Sequence, residues 1–222
     1  MLHELLLKAL KERLGEGCVH TEHVFTSYAQ SETGITANFT RRSDPNVPVE
    51  VPKKTTDVLI AADGINSTAR RLLYSNEEPP NFSGRLLWRG VSKRSPFSTG
   101  RSMVWAGHAD QKFIAYPVGR EAELEGTSLV NWIAILRVRD KDDPDLTPPQ
   151  ADWGEVVPKE RFASQFQSWT FGFLSIPELI EDTKEVTEFP MCDRMPVDRW
   201  SFGRLTLLGD AAHPLYPSRL RF

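Results

Sequence analysis

The sequence predicts a mixed α/β (α+β) fold in which an antiparallel sheet interrupts an α/β region, and three stretches carry the prediction. "DVLIAADGINSTARRLLY" holds a continuous apolar run from Val58 to Ala62, expected of a strand covered on both faces, which Asp63-Gly64 ends before a helical turn from Ser67 to Leu73. "RLLWRGV", "SMVWAGH", "KFIAYPV" and "TSLVNWIAIL" follow as β-type runs rich in Trp, Val, Ile and Tyr. Turn signals separate them, so an antiparallel sheet accounts for them most simply. Near the end, "GRLTLLGDAAH" brings another short apolar strand into Gly209-Asp210.

Taken in order, the remaining elements fit that frame. In "MLHELLLKALKERLGEG", Leu2, Leu5, Leu6, Leu10 and Leu14 recur at helical spacing and Gly15 and Gly17 supply a stop, predicting a core-packing helix. Glu4 and Glu12 interrupt its basic face and no small-residue cleavage site follows, unlike a targeting segment. "CVHTEHVFTSYAQ" and "GITANFT" read as β segments, the second alternating through Ile35, Ala37 and Phe39. "RRSDPNVPVEVPKKTT" reads as a polar, proline-punctuated turn region, and "RDKDDPDLTPPQADWG" as a surface loop. "KERFASQFQSW" and "IPELIED" are helical candidates, and "EVTEFPMCD" returns to strand character. The expected organisation is a first α/β region over residues 1–80, an antiparallel-sheet region over 81–190, and a return to the first over 191–222.

Composition narrows the function classes. A chain of 222 residues with 40% hydrophobic residues can bury a sizeable core, and a formal net charge of -3 provides no overall field to recruit nucleic acid or acidic lipid. No apolar run approaches the ~20 residues of a membrane-spanning helix. Cys18 and Cys192 stand far apart without metal-ligand spacing, so neither a disulfide framework nor a metal site is expected, and a reducing, cytoplasmic setting fits.

Two motifs carry the chemistry. In "GRLTLLGDAAH", Gly209 permits a sharp turn or a close ligand, and Asp210 presents a carboxylate that accepts hydrogen bonds from sugar-like hydroxyls. Ala211 and Ala212 keep the wall thin, and Pro214 and Pro217 stiffen the loop beyond. "DVLIAADGINSTAR" has the same shape: a strand delivers Asp63-Gly64 at its carboxyl end, where ligands of open α/β sheets gather, and Arg70 could offer a cation to a phosphate. Taken singly, Gly209-Asp210 equally suits an ordinary turn with a helix cap, and Asp63-Gly64, one of the commonest turn dipeptides, suits an ordinary turn better than a site.

Together and in this order, the motifs resemble the second and third fingerprints of the single-component flavoprotein aromatic monooxygenases, which share the para-hydroxybenzoate hydroxylase-like fold. "LLWRGV", "AYPVGR", "SLVNWI" and "FPMCDRMPVDRWSFGRLTLLGDAAHPLYP" look like the branch with the salicylate hydroxylase and phenazine-carboxylate monooxygenase types. The resemblance implies a Rossmann-like FAD-binding domain with an inserted substrate sheet, FAD as cofactor, NAD(P)H as co-substrate, and hydroxylation of a small aromatic ring by O2. It implies that Asp210 binds the ribityl hydroxyls, that Pro217 lies by the flavin ring, and that Asp63 and Gly64 support the pyrophosphate region. It makes Trp88, Arg89, Tyr116 and Trp132 candidates to face the aromatic ligand, with ordinary sheet packing as the alternative for each.

The chain departs from that pattern at both ends. It holds no G-x-G-x-x-G turn to receive a pyrophosphate, keeps only Leu2-His3 of an R-x-x-L-H pattern, and shows no glycine turn and long helix after Ser218. It is therefore expected to be a fragment truncated at both ends, binding FAD weakly and marginally stable when isolated. The alternative is a short, non-catalytic binding or interaction protein derived from such an enzyme.

Overall fold

The computed structural model describes residues 2–41, 49–140, 142–143, 146–148 and 154–215. They form two compact units, one of residues up to Pro79 together with Pro196–Pro214, the other of Pro80–Met195. The architecture is mixed α/β, as the sequence predicts.

The first unit opens with helix α1 (Leu2–Leu14), which lies where the leucine spacing puts it but buries none of its residues. The expectation of core packing is corrected: an apolar stripe marks the face a helix can bury, and among the described residues nothing covers this one. Strands β1 (His23–Gln30), β2 (Ile35–Arg41) and β3 (Val49–Thr56) form an antiparallel sheet in that order. Strand β3 occupies the second half of the stretch expected to be turn, residues 42–48 of which lie outside the described residues. Pro52 is tolerated because β3 is an edge strand and the register with β2 slips between Ala37 and Phe39, where the missing N–H removes no regular ladder bond.

Strand β4 (Leu59–Ala61) and helix α2 (Thr68–Leu73) complete the first pass. The run from Val58 was expected to be covered on both faces. Instead Leu59 and Ala61 pack inward while Ile60 is 59% exposed, so one face alone is buried.

The second unit is built on one antiparallel sheet. Its elements are β5 (Asn81–Arg94), β6 (Val104–Gly107), β7 (Gln111–Val118), α3 (Arg120–Leu124), β8 (Ser128–Arg137), β9 (Glu155–Val156), the short pair β10 (Thr170–Phe171) and β11 (Leu174–Ser175), α4 (Ile176–Glu181) and β12 (Val186–Asp193). The sheet order is β6-β7-β8-β5-β12-β9, with every neighbour antiparallel. "KERFASQFQSW" forms two 3-10 turns, Lys159–Arg161 and Ala163–Phe166, rather than one α-helix. Phe162 and Phe166 from this segment cover one face of the sheet. Phe162 stacks on Trp88 with ring centroids 4.8 Å apart, and Phe113 stacks on Trp132 at 5.5 Å. Gly90 follows from this packing, because a Cβ there would come within 2.7 Å of the Trp132 ring.

Cys192 on β12 is buried beside Asp193, and desolvation, reinforced by that carboxylate, pushes its thiol up to about 11. Because the thiolate is the reactive form, Cys192 is expected to resist alkylation at pH 8 in the folded chain while the half-exposed Cys18 reacts. Mass mapping of iodoacetamide adducts before and after denaturation checks this; equal labelling of both native thiols would refute it.

The chain then returns to the first unit as β13 (Ser201–Phe202) and β14 (Leu205–Leu207). Strand β14 pairs antiparallel with β13 and parallel with β4, Leu205 opposite Leu59 and Leu207 opposite Ala61. Arg204, in the β13–β14 turn, donates side-chain hydrogen bonds to the carbonyls of Ser31, Glu32 and Asp57, clasping the β1–β2 turn to the entry of β4.

Candidate functional site

The parallel pairing of β4 with β14 brings the two sequence motifs together. Asp63 lies two residues beyond Ala61 and Gly209 two beyond Leu207, so both motifs leave the sheet at the carboxyl ends of neighbouring strands. Leu208 N–H donates to the Ala61 carbonyl at 2.9 Å, extending the contact to the motif boundary. Both glycines occupy the left-handed region, Gly64 at φ 79° and Gly209 at φ 60°, with open space where a Cβ would stand. A side chain there would be strained by its backbone rather than by its neighbours.

The two aspartates differ in what they do. One Asp63 oxygen accepts from Ser67 Oγ at 2.5 Å, and the other from the backbone N–H groups of Thr68 and Ala69 at 2.8 and 3.2 Å. Ser67 Oγ in turn accepts from Arg70 N–H at 2.9 Å. The Asp63 carboxylate therefore satisfies orphan donors of the first turn of α2. Asp210 sits in the 3-10 turn Gly209–Ala211, exposed, and its carboxylate has no intramolecular partner among the described residues. Behind it, Ala211 and Ala212 join Ile35, Ala61, Ala69, Leu205 and Leu207 in the core. Ala211 thus contributes backbone to the turn while its methyl packs inward.

Arg70 corrects the expectation of a cation offered to phosphate. Its side chain is 1% exposed. Nε and Nη2 donate to Glu77 over 2.5–3.0 Å, and Nη1 donates to the carbonyls of Ala211 and Ala212 at 3.2 and 2.8 Å. A guanidinium committed in this way ties one motif to the other instead of meeting a ligand. Nearby, Tyr74 Oη donates to the Arg199 carbonyl at 2.6 Å, and the ring of His213 packs edge-on against Trp200. Pro217 lies outside the described residues. An apolar cavity of about 310 Å³, lined by Phe25, Phe39, Leu59, Ile60, Ala61, Ala62 and Asp63, opens beside the end of β4.

In the second unit, the four residues proposed to face an aromatic ligand fall on opposite faces of the sheet. Trp88 and Trp132 lie on the face covered by Phe162 and Phe166, both buried, with their indole N–H groups donated to Glu188 at 2.7 Å and to Thr183 at 2.8 Å. They are core residues. Arg89, next to Trp88 in the strand, must point the other way, and Tyr116 shares its side because it pairs with Asn131. Arg89 Nε donates to Asn131 Oδ1 at 3.1 Å. Asn131 itself was not singled out from the sequence. The signal for it was a lone amide in the otherwise apolar run "SLVNWIAIL".

Comparison with known proteins agrees with this fold. The family described as FAD binding domain matches residues 1–219. Phenazine 1,6-dicarboxylic acid hydroxylase PhzS of Lysobacter antibioticus is 32% identical over 220 residues, covering 97% of this chain and 52% of that protein. Among solved structures, 2,6-dihydroxypyridine-3-hydroxylase from Arthrobacter nicotinovorans superposes with a TM-score of 0.66 at 23% identity, over 95% of this chain and 54% of the other. A salicylate hydroxylase substrate complex gives 0.65 at 22%, over 95% and 50%. The chain spans about half the length of the relatives it matches.

Proposed function

This chain belongs to the FAD binding domain family of flavin-dependent aromatic hydroxylases, and from that premise we propose that the protein carrying it hydroxylates a small aromatic ring with NAD(P)H and O2. The single observation that carries the reading is the meeting of the two motifs at the carboxyl ends of β4 and β14, with an exposed Asp210, unengaged among the described residues, beside an open Gly209. Ligands of parallel α/β sheets gather at that edge.

The residues present fit FAD unequally. Asp210 and Gly209 suit it: a free carboxylate accepts from ribityl hydroxyls, and the absent Cβ lets the cofactor approach the backbone. Asp63 and Arg70 serve by holding α2 and the Gly209–Ala211 turn in place, since their polar atoms are engaged within the chain. FAD, when bound, supplies the redox chemistry that links NAD(P)H to dioxygen. The protein's part is to bind, orient and exclude water, and the open sheet face with Arg89 and Tyr116 is the surface we assign to the ring. The named substrates of PhzS and of salicylate hydroxylase are aromatic carboxylic acids, and 2,6-dihydroxypyridine is also a six-membered ring. The non-catalytic reading gains nothing here, because the family match runs through both motifs.

The decisive test supplies FAD, NAD(P)H and a panel of aromatic acids to the protein carrying this chain under 18O2. One labelled oxygen per hydroxylated ring is expected. Label-free product, or NAD(P)H consumption indifferent to every ring, would overturn the reading.

A further inference from the structure

The first unit holds two sheets, and among the described residues three of their four edges are blunted in ways that discourage a further strand. Strand β1 bulges between Phe25 and Ser27, β3 carries Pro52 with Lys53 and Lys54, and β13 is two residues long. Strand β4 is the fourth edge. The run 58–62 around it, Val-Leu-Ile-Ala-Ala, contains no charge and no proline, and its register with β14 has no bulge.

Hydrogen bonding to β14 shows what this edge offers. Leu59 N–H donates to the Arg204 carbonyl at 2.8 Å, and the Ala61 carbonyl accepts from Leu208 N–H at 2.9 Å, so these two residues direct their polar groups towards β14. Main-chain groups of successive strand residues point to opposite edges, which turns those of Val58, Ile60 and Ala62 away from β14. On the face away from the core, Ile60, Val58 and Leu208 are 59%, 53% and 55% exposed. The apolar cavity walled by Phe25, Phe39 and β4 itself lies along the same strand. A row of main-chain donors and acceptors is thus flanked by apolar surface.

We infer that this edge pairs with the same edge of a second copy of the chain, β4 against β4 in antiparallel order about a twofold axis at Ile60. The run complements itself: Ile60 meets Ile60, Val58 meets Ala62 and Leu59 meets Ala61, so facing side chains are apolar on both faces of the joined sheet. The outward groups of Val58, Ile60 and Ala62 fall opposite one another and form the hydrogen-bonded pairs. The partner copy's Leu59 comes to lie beside Ala61, where the cavity gives it room. Asp57 and Asp63 bound the ladder, because a longer pairing would set them opposite each other, and the Asp63 carboxylate is already turned onto α2. Isologous pairing uses both β4 edges and leaves the short β13 at each outer end, so it closes as a dimer instead of growing into a filament.

Sedimentation of the 222-residue chain over a range of concentrations is expected to show a reversible monomer–dimer equilibrium. Ala62→Pro removes one outward N–H from each copy, and Ile60→Lys sets two like charges opposite one another. Both positions are exposed, so the fold should survive, as melts on dilute protein will confirm. Each substitution should raise the dimer dissociation constant roughly tenfold or more. Cysteine pairs then report the register in a Cys18→Ser background. Ile60→Cys brings the two Cα atoms to about 5.5 Å, within disulfide reach, whereas the two copies of Val58→Cys stand about 13 Å apart. Crosslinking of the first and not of the second is expected. A monomer at every concentration, a dimer indifferent to both Ala62→Pro and Ile60→Lys, or equal crosslinking of the two cysteine variants would overturn the pairing. Protection of the Ile60 amide from hydrogen exchange in a monomer would overturn it too, by showing that another segment of the same polypeptide covers the edge.

Discussion

Arg70→Met is expected to destabilise the first unit by about 3–5 kcal/mol, the usual consequence of removing one partner from a buried, hydrogen-bonded ion pair. Methionine fills much of the volume but donates nothing. The change strips Glu77 of its contacts with the guanidinium and deprives the carbonyls of Ala211 and Ala212 of their Nη1 donor. A second substitution, Glu77→Leu, should recover only part of the loss, because it removes the carboxylate while the two carbonyls still lack that donor. Urea unfolding combined with hydrogen exchange at the amides of β4 and β14 measures both effects. Full recovery in the double variant would show that the ion pair, and not the link to the Gly209–Ala211 turn, is what Arg70 maintains. A change below about 1 kcal/mol would show that the buried guanidinium contributes no more than an exposed pair.

The second large effect is expected at Asp210. If its carboxylate receives the ribityl hydroxyls of FAD, Asp210→Ala weakens flavin binding by about 1.5–3 kcal/mol, or roughly ten- to a hundredfold. Folding stability should barely change, because the side chain is exposed and engages nothing among the described residues. Asp63→Ala should behave in the opposite way. Loss of its bonds to Ser67, Thr68 and Ala69 lowers stability by about 0.5–2 kcal/mol through fraying of α2, with a smaller effect on flavin affinity of the folded fraction. FAD fluorescence on folded protein, paired with unfolding curves, separates the two aspartates. Unchanged FAD affinity in Asp210→Ala would remove Asp210 from the site.

Much of the fold was legible because its signals are local. Runs rich in Trp, Val, Ile and Tyr, separated by turn signals, gave the antiparallel sheet, and the apolar strands ending in Asp63-Gly64 and Gly209-Asp210 gave the two motifs. Elements whose character depends on neighbours were not legible. The 49–56 segment looks like turn because of its prolines, yet its partner β2 recruits it as an edge strand. The leucines of α1 announce an apolar face but cannot say whether anything covers it. The sheet faces are an intermediate case. Trp88 and Arg89 are adjacent, so strand geometry alone already places them on opposite sides, but which side is core depends on Phe162 and Phe166 arriving from more than 70 residues away.

For the site, residue order by itself determined that two strand-to-turn motifs exist and that each ends in a glycine–aspartate pair able to meet a ligand. It could not determine which aspartate is free. Hydrogen-bond capacity is a property of residue type, whereas its use depends on which donors the folded chain brings within about 3 Å. For Asp63 those donors are Ser67, Thr68 and Ala69; for Asp210 the described residues provide none. The same rule decided the two arginines. Arg70 is buried because β14 returns beside β4 and brings the carbonyls of Ala211 and Ala212 from more than 140 residues away, while Arg89 meets the Asn131 amide and, among the described residues, no carboxylate.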